Sequence, residues 1–128
     1  MPRILIVDDE AAICSLLAGA FERAGYDVRT ASDGPEALAL CAAESFDAVL
    51  SDVVMPRMNG HELARWIVAR HPQTRLVLMS GYDPVMSGYD PAWRDNLPVQ
   101  SWHFLPKPFR VCDVLSLVGN AIAQPLAS

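Results

Sequence analysis

Short apolar runs alternate with amphipathic helical patterns along this 128-residue chain. The first run, residues 4–7, is followed by apolar residues between Ile13 and Ala24 at the i, i+3, i+4 and i+7 spacing of one helix face. The alternation continues, and we predict further strands over 27–31, 48–50, 76–79 and 102–105, and further helices from 34, from 60 and over 111–123. Strands that alternate with helices are typical of an α/β fold.

Glycine and proline residues mark the ends of the predicted helices. Gly25 stands just after the first helix, at the position that favours a left-handed backbone. Pro35 stands at the predicted first position of the second helix, where its missing N–H costs no hydrogen bond. Gly60 opens the third helix, and His71 with Pro72 ends it.

Five strands joined through helices predict a doubly wound parallel sheet with helices on both faces. The strand runs are apolar without alternation, as expected for strands that are buried on both sides. Residues 81–101 depart from this pattern, because they contain Pro84, Pro91 and Pro98, and because the stretch 80–84 recurs as 87–91. Since proline fits only the first turn of a helix, we predict an irregular or shortened fourth helix there.

The composition describes one acidic domain. The chain length suits a single domain, given roughly 150 residues per domain, and an apolar fraction of 52% argues against disorder. A net charge of −5 disfavours a nucleic-acid surface. Cys14, Cys41 and Cys112 lack the CxxC spacing of a zinc or disulfide pattern, and we read them as small apolar residues of a protein in a reducing compartment. The first apolar run is too short for a signal peptide or a membrane span, so we expect a cytoplasmic protein without membrane insertion.

Candidate chemistry collects at the carboxyl ends of the predicted strands. Asp8 and Asp9 follow the first strand, Asp52 ends the third, Ser80 ends the fourth and Lys107 follows the fifth. In a doubly wound sheet, ligands bind at this edge. Clustered carboxylates repel one another, and a hard divalent cation such as Mg²⁺ relieves that repulsion. A carboxylate can also accept a phosphoryl group, with a cation, an ammonium and a hydroxyl stabilising the phosphoryl oxygens.

Four stretches carry a resemblance to a known family. Residues 4–10, 52–60, 79–82 and 104–109 stand in this order, and all four lie at the ends of predicted strands. Together they make residues 3–123 resemble the receiver domain of bacterial two-component response regulators. The resemblance implies a flavodoxin-like fold with the strand order 2-1-3-4-5.

The resemblance assigns the acidic residues to a phosphoacceptor site. Asp52 resembles the phosphoacceptor, and it would share Mg²⁺ (or Mn²⁺) with Asp9, which resembles a direct metal ligand. Asp8 resembles the acid that holds metal-bound water, and the backbone carbonyl of Val54 would complete the protein ligands. The resemblance therefore implies magnesium-dependent transfer of a phosphoryl group to Asp52 from a histidine kinase or a histidine phosphotransfer protein.

The resemblance also assigns residues that act beside Asp52. Lys107 would contact the phosphoryl group, and the Lys107–Pro108 peptide bond would be cis. Ser80 resembles the hydroxyl that assists this chemistry and acts as a switch, and Phe104 resembles the aromatic switch residue. Their movements would reshape a face that a downstream protein partner reads. On this interpretation the chain catalyses only its own phosphorylation and dephosphorylation and is not an enzyme for another substrate.

We expect residues 1–123 to form the receiver domain and residues 124–128 to be a frayed tail. We expect no output domain after residue 123 and therefore expect the chain to act through partners, as a single-domain regulator or as the receiver of a hybrid histidine kinase. Direct DNA binding is not expected, and a homodimer stays open.

Two other functions stay open beside the phosphoacceptor. The first is a pseudo-receiver, an interaction scaffold that works without phosphorylation, although the complete acidic set and Lys107 argue against it. The second is a phosphatase that forms an aspartyl phosphate. Such phosphatases usually carry a second aspartate two residues after the nucleophile, where this chain has Val54.

Overall fold

The computed structural model describes residues 2–52, 60–71, 73–80, 102–106 and 108–123. These residues form helices α1 (Ala11–Arg23), α2 (Gly34–Ala43) and α3 (Gly60–Arg70), a C-terminal helix (Val111–Ala123), and strands β1 (Arg3–Val7), β2 (Asp27–Ala31), β3 (Ala48–Asp52), β4 (Arg75–Ser80) and β5 (Trp102–Pro106). The predicted alternation of these elements is confirmed. The predicted irregular helix falls within 81–101, outside the described residues.

The sheet is parallel and is ordered β2-β1-β3-β4-β5. The predicted order of the first four strands is confirmed, and β5 pairs in parallel with β4 at the sheet's edge. In the centre, Ile4 of β1 is aligned with Val28 of β2 on one side and with Ala48 of β3 on the other. Because β1 and β3 are neighbours that run in the same direction, the residues that follow β1 and end β3 meet at one edge of the sheet.

Alternate residues of the strands build two apolar layers. Leu5 and Val7 of β1 lie in the layer covered by α2 and α3, whereas Ile4 and Ile6 lie in the layer covered by α1 and the C-terminal helix. All four side chains are fully buried. Burial on both faces is what the unbroken apolar pattern of the strand predicts, and it makes the central strands a rigid support for whatever their ends carry.

The helix boundaries confirm one sequence signal and correct another. Gly25 adopts a positive φ of 96° directly after the cap of α1, as predicted. The helix α2 is capped by Asp33, whose side chain accepts a hydrogen bond from the backbone N–H of Glu36 at 2.9 Å. Pro35 is therefore the second residue of the helix, whereas the sequence predicted it to be the first. The second position tolerates proline for the same reason, since its N–H also lacks a partner within the helix.

The three cysteines differ in environment. Cys41 is buried in the layer beneath α2, as predicted for a small apolar residue, and burial raises the pKa of its thiol to about 11. Cys112 is exposed, so the same prediction is wrong for it, because its position on the C-terminal helix points away from the sheet. Cys14 is half-buried in α1.

None of the helices in the described ranges has the length and apolarity that crossing a bilayer requires.

Arg75 links the start of β4 to the end of the C-terminal helix. Its Nε donates a hydrogen bond to the backbone carbonyl of Ala121 at 3.0 Å, and its Nη1 donates to the carbonyl of Gln73 at 2.9 Å. The carbonyls of a helix's last turn have no partner within the helix. A cation there also interacts favourably with the negative end of the helix dipole. We therefore expect Arg75→Ala to lower the free energy of unfolding by about 1–2 kcal/mol, measured by urea denaturation.

Two further variants serve as comparisons for that measurement. Arg65→Ala removes an exposed arginine of α3 and should change stability by less than about 0.5 kcal/mol. Arg75→Lys keeps the charge but cannot bridge two carbonyls as the guanidinium fork does, so its loss should be intermediate. A loss for Arg75→Ala no greater than that for Arg65→Ala would show that the contact with the helix end contributes nothing.

Candidate functional site

Asp8 follows β1 and is held by its backbone and its side chain together. It is buried, with 1% of its surface exposed. Its N–H donates to the carbonyl of Ala31 at the end of β2, at 3.1 Å. Its carboxylate Oδ1 accepts a hydrogen bond from the N–H of Glu10 at 2.9 Å. Glu10 is the N-cap residue of α1, so the Asp8 carboxylate lies against the start of that helix, where the dipole favours negative charge.

Asp52 is the last residue of β3 and lies beside the end of β1. It is aligned with Met79 of β4 and only 7% of its surface is exposed. The hydroxyl of Ser51, also buried, donates to the backbone carbonyl of Asp52 at 2.9 Å. The Asp52 carboxylate is therefore attached to a backbone that is held in place by the neighbouring strands.

Asp8, Asp9 and Asp52 converge at this edge of the sheet. One carboxylate oxygen from each lies within 4.8 Å of the others. Asp9 is exposed, whereas Asp8 and Asp52 are buried, so the cluster is closed on the side of the sheet and open towards solvent. The sequence argument placed these three residues at strand ends, and the structure brings them together.

The carboxylate cluster fits a hard divalent cation. Like charges at about 4 Å repel by roughly 4 kcal/mol at an effective dielectric near 20, and partial exposure of Asp9 reduces this. All three donors are oxygens, which Mg²⁺ prefers, and Mg²⁺ typically uses one or two carboxylates and keeps several waters. The open side leaves room for those waters. The donor set thus fits Mg²⁺ or Mn²⁺ better than a softer metal.

A cleft of about 250 Å³ adjoins the cluster. Asp8 and Asp9 line it together with Cys14 of α1, the end of β2 and Glu36 of α2. The carboxylate of Glu36, across the cleft from Asp8 and Asp9, accepts hydrogen bonds from Ser32. The Ser32 N–H donates at 3.1 Å and the Ser32 hydroxyl donates at 2.8 Å. The cleft therefore has ordered walls on both sides of its opening.

The remaining predicted site residues are placed only in part. Ser80 is the last residue of β4, aligned with Pro106, and Phe104 lies within β5, aligned with Leu78; their side chains are outside the described structure. Val54 and Lys107 also fall outside the described residues, and with Lys107 the predicted cis Lys107–Pro108 bond. The roles assigned to these residues stay predictions.

Sequence reasoning missed one residue beside the site. The thiol of Cys14 donates a hydrogen bond to the backbone carbonyl of Asp8 at 3.3 Å. Burial raises the pKa of this thiol, and the negative charge of Asp8 raises it further. Nothing in the helical periodicity distinguishes Cys14 from an ordinary core residue, because its partner belongs to the loop that precedes the helix.

Comparison with known proteins agrees with this geometry. The family model described as "Response regulator receiver domain" matches residues 4–118. Among curated proteins, the chain is 34% identical over 122 residues to the DNA-binding transcriptional regulator NtrC of Rhizobium meliloti (strain 1021), covering 95% of this chain and 24% of NtrC. It is 36% identical over 124 residues to the sensor kinase CckA of Brucella abortus (strain 2308), covering 94% of this chain and 12% of CckA. The chain thus spans a quarter or less of these relatives.

A solved structure adds a comparison of the fold. The response regulator protein TrrA of Thermotoga maritima, in complex with Mg(2+)-BeF, superposes with a TM-score of 0.79 at 28% identity. The superposition covers 94% of this chain and 99% of that one. The likeness therefore extends over most of the chain.

Proposed function

Because the chain belongs to the response regulator receiver domain family of two-component signalling, we propose that Asp52 accepts a phosphoryl group with the help of Mg²⁺. The observation that carries the proposal is the meeting of three carboxylates at one edge of the sheet, with Asp52 buried at the end of a central strand. Asp9 of the same cluster is exposed, so solvent reaches the cluster from its side.

In the proposed reaction an oxygen of the Asp52 carboxylate attacks phosphorus. The new bond is the acyl phosphate oxygen–phosphorus bond, and the bond from phosphorus to the donor's nitrogen or oxygen breaks, its electron pair leaving with the donor. Asp9 would hold the cation directly and Asp8 would hold water bound to it. The cation, when bound, supplies positive charge beside the phosphoryl oxygens. Asp8 stays in place through its hydrogen bonds with Glu10 and Ala31.

The finer assignments belong to the same proposal. Val54 would supply its backbone carbonyl to the cation, and Lys107, which would precede a cis bond to Pro108, would supply an ammonium to the phosphoryl oxygens. Ser80 would hydrogen-bond the phosphoryl group, and Phe104 would pack behind it. A five-stranded sheet with an irregular fourth helix would carry the resulting change to the partner surface, within a domain that spans residues 1–123.

The partners follow from this chemistry. A histidine kinase or a histidine phosphotransfer protein would deliver the phosphoryl group, and a downstream protein would read the switched face. The similarity to CckA supports a receiver connected with a kinase, and that to NtrC supports one connected with an output domain. A cytoplasmic setting, the absence of direct DNA binding by this domain and an optional homodimer are part of the proposal.

Acetyl phosphate tests the proposal without a cognate kinase. The native protein, incubated with acetyl phosphate and Mg²⁺, should acquire one phosphoryl group that mass spectrometry detects and that hydroxylamine removes, since acyl phosphates are cleaved by it. Chelation of Mg²⁺ should prevent the modification. Lack of any hydroxylamine-sensitive product in Mg²⁺ would favour the pseudo-receiver scaffold, and rapid turnover of phosphomonoesters would favour a phosphatase.

A further inference from the structure

Cys14 lies beside the carboxylate cluster, in contact with the backbone of Asp8. It is in the first turns of α1, half-buried, and its thiol donates to the Asp8 carbonyl at 3.3 Å. A second, longer approach of 3.9 Å reaches the carbonyl of Ala31, which also accepts the N–H of Asp8. The thiol therefore joins the helix to the ends of both β1 and β2.

A restraint on the Asp8 carbonyl affects the orientation of the carboxylates of both Asp8 and Asp9. It belongs to the planar peptide unit that connects Asp8 to Asp9. Fixing that plane restricts the torsions on either side of it, and those torsions direct the two neighbouring carboxylates. Three hydrogen bonds restrain this short segment: from the Asp8 N–H to Ala31 at 3.1 Å, from Cys14 to the Asp8 carbonyl at 3.3 Å, and from the Glu10 N–H to the Asp8 carboxylate at 2.9 Å.

We propose that Cys14 is a positioning residue of the cation site, whose thiol holds the Asp8–Asp9 peptide so that both carboxylates face one divalent cation. The inference rests on the proposed function, because it assumes that the carboxylate cluster binds a cation. Groups that orient metal ligands govern affinity although they never touch the metal.

The first test measures Mn²⁺ binding by electron paramagnetic resonance, which reports free Mn²⁺. Cys14→Ala should weaken binding by roughly two- to tenfold, the size expected from one weak hydrogen bond. Cys14→Ser keeps a donor and should bind within about twofold of the native protein. Cys112→Ala is the matched control, since it makes the same change at an exposed position of the C-terminal helix, and it should leave affinity unchanged.

The second test uses the unaltered protein, so it does not depend on how a variant folds. Coupling between two sites is reciprocal, so a cation that needs the Cys14 contact should also hold that thiol in place. Mn²⁺ or Mg²⁺ should slow alkylation of Cys14 by iodoacetamide, a neutral reagent, because the thiol must leave its hydrogen bond with the Asp8 carbonyl to react. Cys112 should react at an unchanged rate, and buried Cys41 should stay unreactive while the protein is folded.

The outcomes separate this inference from the proposed function. If the native protein binds no Mn²⁺, or if Asp9→Asn binds as well as the native protein, the proposed cation site itself fails. If the native protein binds Mn²⁺ and Cys14→Ala binds equally tightly, only the role of Cys14 is overturned. An equal loss in Cys14→Ala and Cys14→Ser would also overturn it, because the donor would then not be the cause. Cation-dependent protection confined to Cys14 supports it.

Discussion

Asp52→Asn is expected to lose nearly all hydroxylamine-sensitive phosphorylation by acetyl phosphate in Mg²⁺. Asparagine has almost the same size and shape as aspartate, so the buried end of β3 should keep its packing. The amide, however, has no carboxylate oxygen to attack phosphorus, and it removes one of the three charges that face the cation. We expect the initial rate of modification to fall at least about a hundredfold, as is typical when a nucleophile is removed.

Asp113→Asn is the matched control for that measurement. It makes the same change at an exposed carboxylate in the first turn of the C-terminal helix, which is not one of the three clustered carboxylates. Its phosphorylation should equal that of the native protein. If Asp52→Asn were modified at the native rate while remaining folded, another group would be the acceptor and the assignment of Asp52 would be wrong.

Mg²⁺ is expected to stabilise the folded protein, and Asp9→Asn is expected to remove most of that stabilisation. The folded state gathers three carboxylates whose oxygens lie within 4.8 Å of one another, whereas the unfolded chain separates them. A ligand that binds only the folded state raises the free energy of unfolding, by about 2.7 kcal/mol at a concentration one hundred times its Kd. Urea denaturation with Mg²⁺, and again with a chelator, measures the difference.

The same variant should behave oppositely without the cation. Removing the charge of Asp9 relieves its repulsion from Asp8 and Asp52, and since Asp9 is exposed we expect a gain of only about 1 kcal/mol in chelator. Asp113→Asn, tested in parallel, should keep the full response to Mg²⁺. An Mg²⁺ effect of native size in Asp9→Asn would show that the stabilising ion binds elsewhere.

The order of the helices and strands, and the residues that end the strands, could be predicted from the amino-acid pattern. Apolar runs such as that of β1, with every side chain from Ile4 to Val7 buried, specify a strand covered on both faces by composition alone. Because parallel strands present their carboxyl ends at one edge, the positions of Asp8, Asp9 and Asp52 in the sequence were enough to predict that they lie close together. The strand order came from the family resemblance, since periodicity says nothing about which strands are neighbours.

How those residues are held depends on the three-dimensional packing of the chain. It made Asp8 and Asp52 buried and Asp9 exposed, although all three follow apolar strands. It turned the thiol of Cys14 towards the Asp8 carbonyl and left Cys112 exposed, although both cysteines occur in similar apolar helical patterns. It also joined Arg75 to Ala121, which is 46 residues away. Periodicity records contacts within one helix turn or one strand, whereas these contacts depend on how distant segments pack together.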